Sequence, residues 1–248
     1  VCPFEISLDA SLWADIVVCD YNYVFDPFVR LQRFQPPQGI HLLIDEAHQL
    51  FPRVNSMFTV ELDSLSLQDA ITEADPRLHG SLNLVQDEFL ALKACSESDR
   101  SQIETPQRLN KAVLSFLETI RENEVELEGF PSLRDFVFAC HRWSTALDWE
   151  FEDSFEYIIE CRDDQTLATR SCIDSSEIIH ESLEKYESSI AFSGTLSPLN
   201  IYQELHGGET NLTARSPNPF GKDQLEVMLV HDIPTYYQMR RDSLGSLV

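Results

Sequence analysis

No apolar run in this 248-residue chain approaches the roughly 20 residues of a membrane span, and no basic-then-apolar leader opens it. A soluble, cytoplasmic protein with no membrane partner is expected. There is no C-x-x-C pair either. Cys2, Cys19, Cys95, Cys140, Cys161 and Cys172 are scattered, which argues against a zinc knuckle or a disulfide framework and makes most of them small apolar core residues. Bases are scarce, 18 Lys and Arg against 42 Asp and Glu for a net charge of -24, whereas a nucleic-acid binder needs a basic stripe. The deficit is uneven: residues 56–150 hold 18 acids and eight bases, residues 207–248 only five and four. A basic track for a nucleic acid would have to come mostly from residues outside this chain. Also missing is a G-x-x-x-x-G-K-[ST] loop, because Phe220-Gly221-Lys222-Asp223 lacks the first glycine and the hydroxyl residue. Nor is there an arginine-rich terminal motif that could act as an arginine finger.

What is present starts with enough apolar residues, 43%, to fill one large or two ordinary cores. The most pointed stretch is Leu42-Leu43-Ile44-Asp45-Glu46-Ala47-His48. Ile40 to Ile44 is short and, His41 apart, apolar, and Gln38-Gly39 before it is a turn signal, so a buried strand is expected to end at Asp45. Open parallel sheets present catalytic acids at strand tips of this kind. There the first acid suits Mg²⁺ and the second suits an attacking water. Adjacent acids at a strand end also favour a following helix through its dipole, so the pair has a purely structural reading as well.

In chain order, a short helix is expected over Ser7 to Ala14 and a buried strand over Asp15 to Cys19, followed by Asp20-Tyr21-Asn22-Tyr23-Val24-Phe25-Asp26-Pro27. Three later stripes carry helical spacing. They are Leu82, Val85, Phe89 and Leu92; Leu109, Ala112, Val113, Phe116, Leu117 and Ile120, with Thr105 as N-cap and Pro106 opening the helix; and Leu133, Phe136, Val137, Cys140, Trp143 and Leu147. Ser96 to Thr105 is polar and reads as an exposed loop. Phe155 to Cys161 and Leu167 to Ile173 read as a hairpin returning to the parallel sheet. Asp174-Ser175-Ser176 caps a helix bearing Ile178, Ile179, Leu183 and Tyr186. Ser189 to Phe192 leads into Ser193-Gly194-Thr195-Leu196-Ser197-Pro198, and Ile201 to Leu205 is a short helix broken by Gly207-Gly208. Beyond a linker at Ser216 to Phe220, Leu225 to Val230 reads as a strand and Thr235 to Val248 as a helix start.

The run Cys2-Pro3-Phe4, Ala14-Asp15-Ile16-Val17-Val18, D-Y-N-Y-V-F-D-P at 20–27, D-E-A-H at 45–48 and S-G-T-L-S-P at 193–198 resembles the iron-sulfur helicases of the XPD and DinG group, most of all bacterial ones. Gly194 stands where that family usually has alanine, and Ile6, Ser7 and Leu8 stand where it often has a base. The resemblance implies an α/β fold: a partial RecA-like parallel-sheet motor domain, a mostly helical Arch-like insert and the start of a second RecA-like domain. The expected divisions are residues 1–55 and 151–206 for the first motor domain, 56–150 for the insert and 207–248 for the second motor domain. It implies an ATP- and Mg²⁺-dependent 5′ to 3′ DNA helicase of DNA repair, acting on single-stranded or forked DNA. Asp45 is then the Mg²⁺ ligand, Glu46 the group that activates water, and His48, Ser193 and Thr195 their catalytic partners. Cys2 becomes one of four ligands to a [4Fe-4S] cluster whose other three precede Val1. Without the phosphate cradle, the 248 residues alone are expected neither to bind ATP usefully nor to hydrolyse it, and to hold no cluster. The alternative is a non-catalytic interaction module whose acidic helical insert docks protein partners. A stand-alone metal hydrolase on Asp45, Glu46 and His48 lacks further ligands nearby in sequence.

Overall fold

The apolar run before Asp45 finds its partner far along the chain. In the computed structural model, β1 (His41–Ile44) and β6 (Ser188–Ala191) run parallel, with His41 opposite Ser188 and Ile44 opposite Ala191. The structure describes residues 2–30, 39–96, 98–208, 211–217, 221, 224, 226, 228–229 and 236. Ile44 is buried, but Leu43 is 72% exposed, so the strand expected to be covered on both faces is covered on one. The covering side is supplied by α3 (Leu50–Met57), whose Leu50, Val54 and Met57 recur at helical spacing, and by Ile178 and Ile179 of α8 (Ser176–Glu184). Phe25 of α2 (Asn22–Phe25) completes this core.

Between β1 and β6 lies a larger core of its own. Four strands form an antiparallel sheet in the order β2 (Val60–Asp63), β5 (Gln165–Cys172), β4 (Phe155–Arg162), β3 (Arg100–Ile103). The helices α4 (Ser64–Glu73), α5 (His79–Cys95), α6 (Gln107–Glu122) and α7 (Pro131–Leu147) contribute one apolar face each to it. The stripes read from the sequence face inward: Leu82, Val85, Phe89, Leu109, Val113, Phe116, Leu133, Phe136, Cys140 and Trp143 are buried together with Val60, Leu62, Ile159 and Ala168. Trp143 meets its one polar need inside this core by donating its indole N–H to Asn110 Oδ1 at 2.9 Å. Local chemistry sets the helix ends. The Asp63 carboxylate accepts the Leu65 N–H at the start of α4, and Glu73 accepts the Ser132 hydroxyl (2.9 Å) and the Leu133 N–H (3.1 Å) at the start of α7.

Several expectations are corrected here. The hairpin β4–β5 does not return to the parallel sheet; it joins β2 and β3, with Val60 opposite Arg170 and Ile103 opposite Tyr157. A hairpin needs further strands or a helix layer to be stable, and α4 to α7 offer the apolar layer on this side. Ser96 to Thr105 is not wholly loop, since β3 forms the sheet edge from Arg100 to Ile103. Asp15 to Cys19 forms no strand; Ile16 is 83% and Val18 95% exposed. An apolar run becomes a strand only beside a ladder partner, and among the described residues the parallel sheet contains β1 and β6 alone. The first helix, α1 (Pro3–Ser11), starts and ends earlier than Ser7 to Ala14, with Pro3 at its first turn. Pro106 is the N-cap of α6 rather than its first residue. The last helix described, α9 (Leu199–Leu205), matches the short helix expected there.

Chain contacts divide the molecule into Val1–Asn211 and Leu212–Val248. The expected strand at Leu225 to Val230 and helix from Thr235 fall largely outside the described residues. Among the described residues, no helix is long and apolar enough to cross a membrane.

Candidate functional site

Parallel pairing carries two sequence boxes to the same end of the sheet. The Phe192 N–H reaches the Ile44 carbonyl (2.9 Å) and the Ala47 N–H reaches the Phe192 carbonyl (3.1 Å), so the register continues past both strand tips. Asp45, Glu46 and His48 therefore meet Ser193 and Thr195. His48 Nδ1 lies 2.9 Å from Ser193 Oγ. The same oxygen lies 3.4 Å from Glu46 Oε2 and 3.2 Å from Thr195 Oγ1, and it accepts the Thr195 N–H at 3.3 Å. Glu46 Oε2 in turn sits 3.2 Å from His48 Nδ1. One serine hydroxyl thus has one proton and three acceptors around it, which makes Ser193 the junction of the two boxes.

The turn itself is unusual. Glu46 has φ 49° and ψ 40°, the left-handed region that a side chain with a Cβ rarely enters, and it precedes a single 3-10 turn over Ala47–Gln49. Its N–H is taken by Asp45 Oδ1 at 2.7 Å. The carboxylates of Asp45 and Glu46 are both exposed, so a ligand in solution can reach them.

Two residues that sequence reasoning left without a role stand beside this turn. The Tyr21 hydroxyl donates to the Asp45 carbonyl. His206 donates from Nε2 to the Ala47 carbonyl at 3.0 Å. Tyr21 belongs to D-Y-N-Y, but nothing in that pattern says what it bonds, and a single histidine before Gly207-Gly208 carries no signal at all. Arg53 stacks over the Tyr21 ring at 5.3 Å and pairs with Asp20 at 3.1 Å. The Asp20 carboxyl is held below its ordinary range, first by the Asn22 N–H and further by Arg53, while burial pushes the Tyr21 hydroxyl up.

Mg²⁺ in nucleotide sites keeps several waters and takes one or two protein carboxylates, and the exposed Asp45 at a strand tip is a donor of that kind. The iron-sulfur cluster that the resemblance implies is a different case. Cys2 is exposed and reduced, and among the described residues no group of three or more His, Cys, Asp or Glu is placed to hold a metal. One thiolate does not fit a four-ligand cluster.

Comparison with known proteins agrees with this geometry. Residues 1–67 match the DEAD_2 family model. The Fanconi anemia group J protein homolog of Gallus gallus is 27% identical over 110 residues, 42% of this chain and 9% of that protein. Two solved structures titled XPD helicase and XPD apo share the fold. The first has a TM-score of 0.56 at 17% identity, covering 84% of this chain and 37% of the solved one; the second has 0.59 at 18%, covering 95% and 48%. The chain thus spans less than half the length of each of these relatives. Its first 67 residues resemble the DEAD_2 family, and its fold is similar to that of the XPD structures: a mixed α/β chain with a parallel sheet at its D-E-A-H box.

Proposed function

We propose that the intact protein couples ATP hydrolysis to 5′ to 3′ separation of DNA strands, in the cytoplasm and in the service of DNA repair, and that this chain supplies the hydrolytic half of its nucleotide site. The observation that carries the reading is the contact of His48 with Ser193, which joins the D-E-A-H and S-G-T boxes at one end of the parallel sheet. In this reading Asp45 holds Mg²⁺, and Glu46 orients and deprotonates the attacking water. Bound Mg²⁺ supplies charge neutralisation for the phosphates. His48 and Ser193 keep the Glu46 carboxylate in place through the shared Oγ. When the S-G-T segment moves, the proton of Ser193 changes acceptor among His48, Glu46 and Thr195. Hydrolysis is thereby tied to motion of the segment that follows β6.

The phosphate cradle and the basic DNA track belong, in the same proposal, to parts of the protein outside these residues, as do the partners of Cys2 in a [4Fe-4S] cluster. The 248 residues alone are then inactive. Residues 1–55 and, apart from the hairpin at 155–172, residues 151–206 act as the first motor domain, 207–248 opens the second, and 56–150 is the body of an Arch-like insert. The hairpin at 155–172 supports an extension of that insert, because Ile159 and Ala168 share its core. With 18 acids and eight bases, the insert also offers a docking face for basic protein partners. The test is ATP turnover and strand separation by the intact protein and by Glu46→Gln. Loss of both activities with retained nucleotide binding is expected; full activity of Glu46→Gln overturns the reading.

A further inference from the structure

Glu46 occupies a backbone conformation that a residue with a Cβ keeps only where its surroundings impose it. The peptide groups on its two sides are the parts that must not rotate. Their N–H groups are both engaged, Glu46 N–H locally by Asp45 Oδ1 and Ala47 N–H from the neighbouring chain segment by the Phe192 carbonyl. Of their carbonyls, Asp45 C=O is engaged by the Tyr21 hydroxyl and Glu46 C=O by the Gln49 N–H at 2.8 Å, and the carbonyl one peptide further on, Ala47 C=O, is engaged by His206 Nε2. We infer that Tyr21 and His206 are positioning residues that hold Glu46 in its left-handed conformation, Tyr21 by fixing the carbonyl of the peptide before it and His206 by fixing the Ala47 carbonyl, one peptide beyond it.

Both clamps are themselves fixed. The Tyr21 ring lies under Arg53, and Phe25 meets it edge-on at 6.3 Å and 89°. His206 is buried beside the Tyr202 ring, 6.1 Å away. The next residue, Gly207, has φ 77°, and a Cβ there would lie 2.4 Å from His180 Cβ and 2.5 Å from the Ser176 carbonyl oxygen. That contact seats the end of α9 against α8 with no room for a side chain. A carbonyl can only accept, so Nε2 of His206 carries the hydrogen. Burial keeps the ring neutral by lowering its affinity for a second proton. His206 follows the S-G-T box by a single helix, so a shift of α9 would reach Glu46 through Ala47, which is fully buried.

The inference rests on the ATPase reading above, and the test separates the two. In the intact protein His206→Phe keeps a ring but removes the donor, His206→Gln restores an N–H at the same reach, and Tyr21→Phe removes one oxygen. For His206→Phe and Tyr21→Phe, kcat should fall about 10- to 100-fold with KM for ATP within about twofold, because misplaced catalytic groups lose rate rather than ground-state binding. His206→Gln should recover to within about threefold of the parent. In nucleotide-free protein, hydrogen exchange at the Ala47 amide should speed up about tenfold in the two Phe variants and not in His206→Gln. Unchanged kcat and exchange in both Phe variants, with Glu46→Gln inactive, overturn the inference alone. So does a His206→Gln protein no better than His206→Phe, which would mark the histidine as core filling. A Glu46→Gln protein with parental turnover overturns the ATPase reading and this inference with it. Should His206→Phe not fold, Tyr21→Phe on its half-buried ring decides by the same criteria.

Discussion

His48 Nδ1 lies 2.9 Å from Ser193 Oγ across 145 positions of sequence. The distance follows from β1 and β6 being neighbours in one parallel sheet, since parallel neighbours bring their C-terminal loops to the same edge. Ser193→Ala should test the link. Removing the shared oxygen takes one partner each from His48 and Glu46, a loss of about 1 to 1.5 kcal/mol, or roughly five- to tenfold in turnover. Steady-state ATPase with a nucleotide titration reads it, and affinity should stay within about twofold. Parental turnover in Ser193→Ala would show that the contact is only structural.

Asp45 and Glu46 should fail differently in the intact protein. On the proposed ATPase reading, Glu46→Gln keeps shape and hydrogen bonding but loses the charge assigned there to activating water, so turnover should drop about 10² to 10⁴-fold while Mg²⁺ and ATP still bind. Asp45→Asn should weaken Mg²⁺ binding as well, because an amide is a poorer ligand for a hard cation. Equal metal affinity in the two variants would contradict the division of roles.

The core under the antiparallel sheet should be the stability-limiting one to perforate. Phe136 is about 1% exposed and its ring centroid lies 5.8 Å from that of Phe116. Phe136→Ala should cost about 3 to 5 kcal/mol, transfer and cavity terms together. Urea unfolding followed by tryptophan emission measures it through Trp143, which shares the cluster. A loss below about 1 kcal/mol would mean the helices are not packed as described.

Thiol reactivity should split the cysteines. Cys2 and Cys95 are exposed, whereas burial pushes the Cys172 thiol up to about 12 and the Cys140 thiol higher still. Brief alkylation at about pH 8 should modify Cys2 and Cys95 and spare Cys140 and Cys172 until denaturant is added, because the thiolate is the nucleophile. Peptide mass spectrometry assigns the sites, and early modification of Cys140 would count against the packing of α7.

Acid should weaken the fold partly through His206. Burial, which outweighs the bond to Ala47, lowers its pKa from the ordinary 6.5. As pH falls below 6.5 the unfolded chain takes up this proton before the folded one does, so stability is lost between 6.5 and the lower folded value and is fully present above that window. Denaturation midpoints compared from about pH 7.5 to about 5.5 should therefore fall less steeply in His206→Gln than in the parent. Parallel slopes would remove the effect.

What the sequence determined by itself is what short-range physics controls. Helical spacing at Leu109, Ala112, Val113 and Phe116, or at Leu133, Phe136, Val137 and Cys140, marks a buried face wherever the helix ends up. The end of an apolar run at Asp45 likewise marks a strand tip before any partner is known. Only the tertiary structure decided which strand lies beside which. Phe155 to Cys172 reads as a hairpin under any pairing, yet whether it joins β1 or β2 depends on which apolar layer is near, and here α4 to α7 supplied it. Ile16 and Val18 are as strand-like as Leu42 and Leu43 but have no ladder partner among the described residues. Tyr21 and His206 reach the D-E-A-H turn for the same reason: a hydrogen bond to a backbone carbonyl asks only for a donor at about 3 Å, and no sequence pattern encodes where that carbonyl will be.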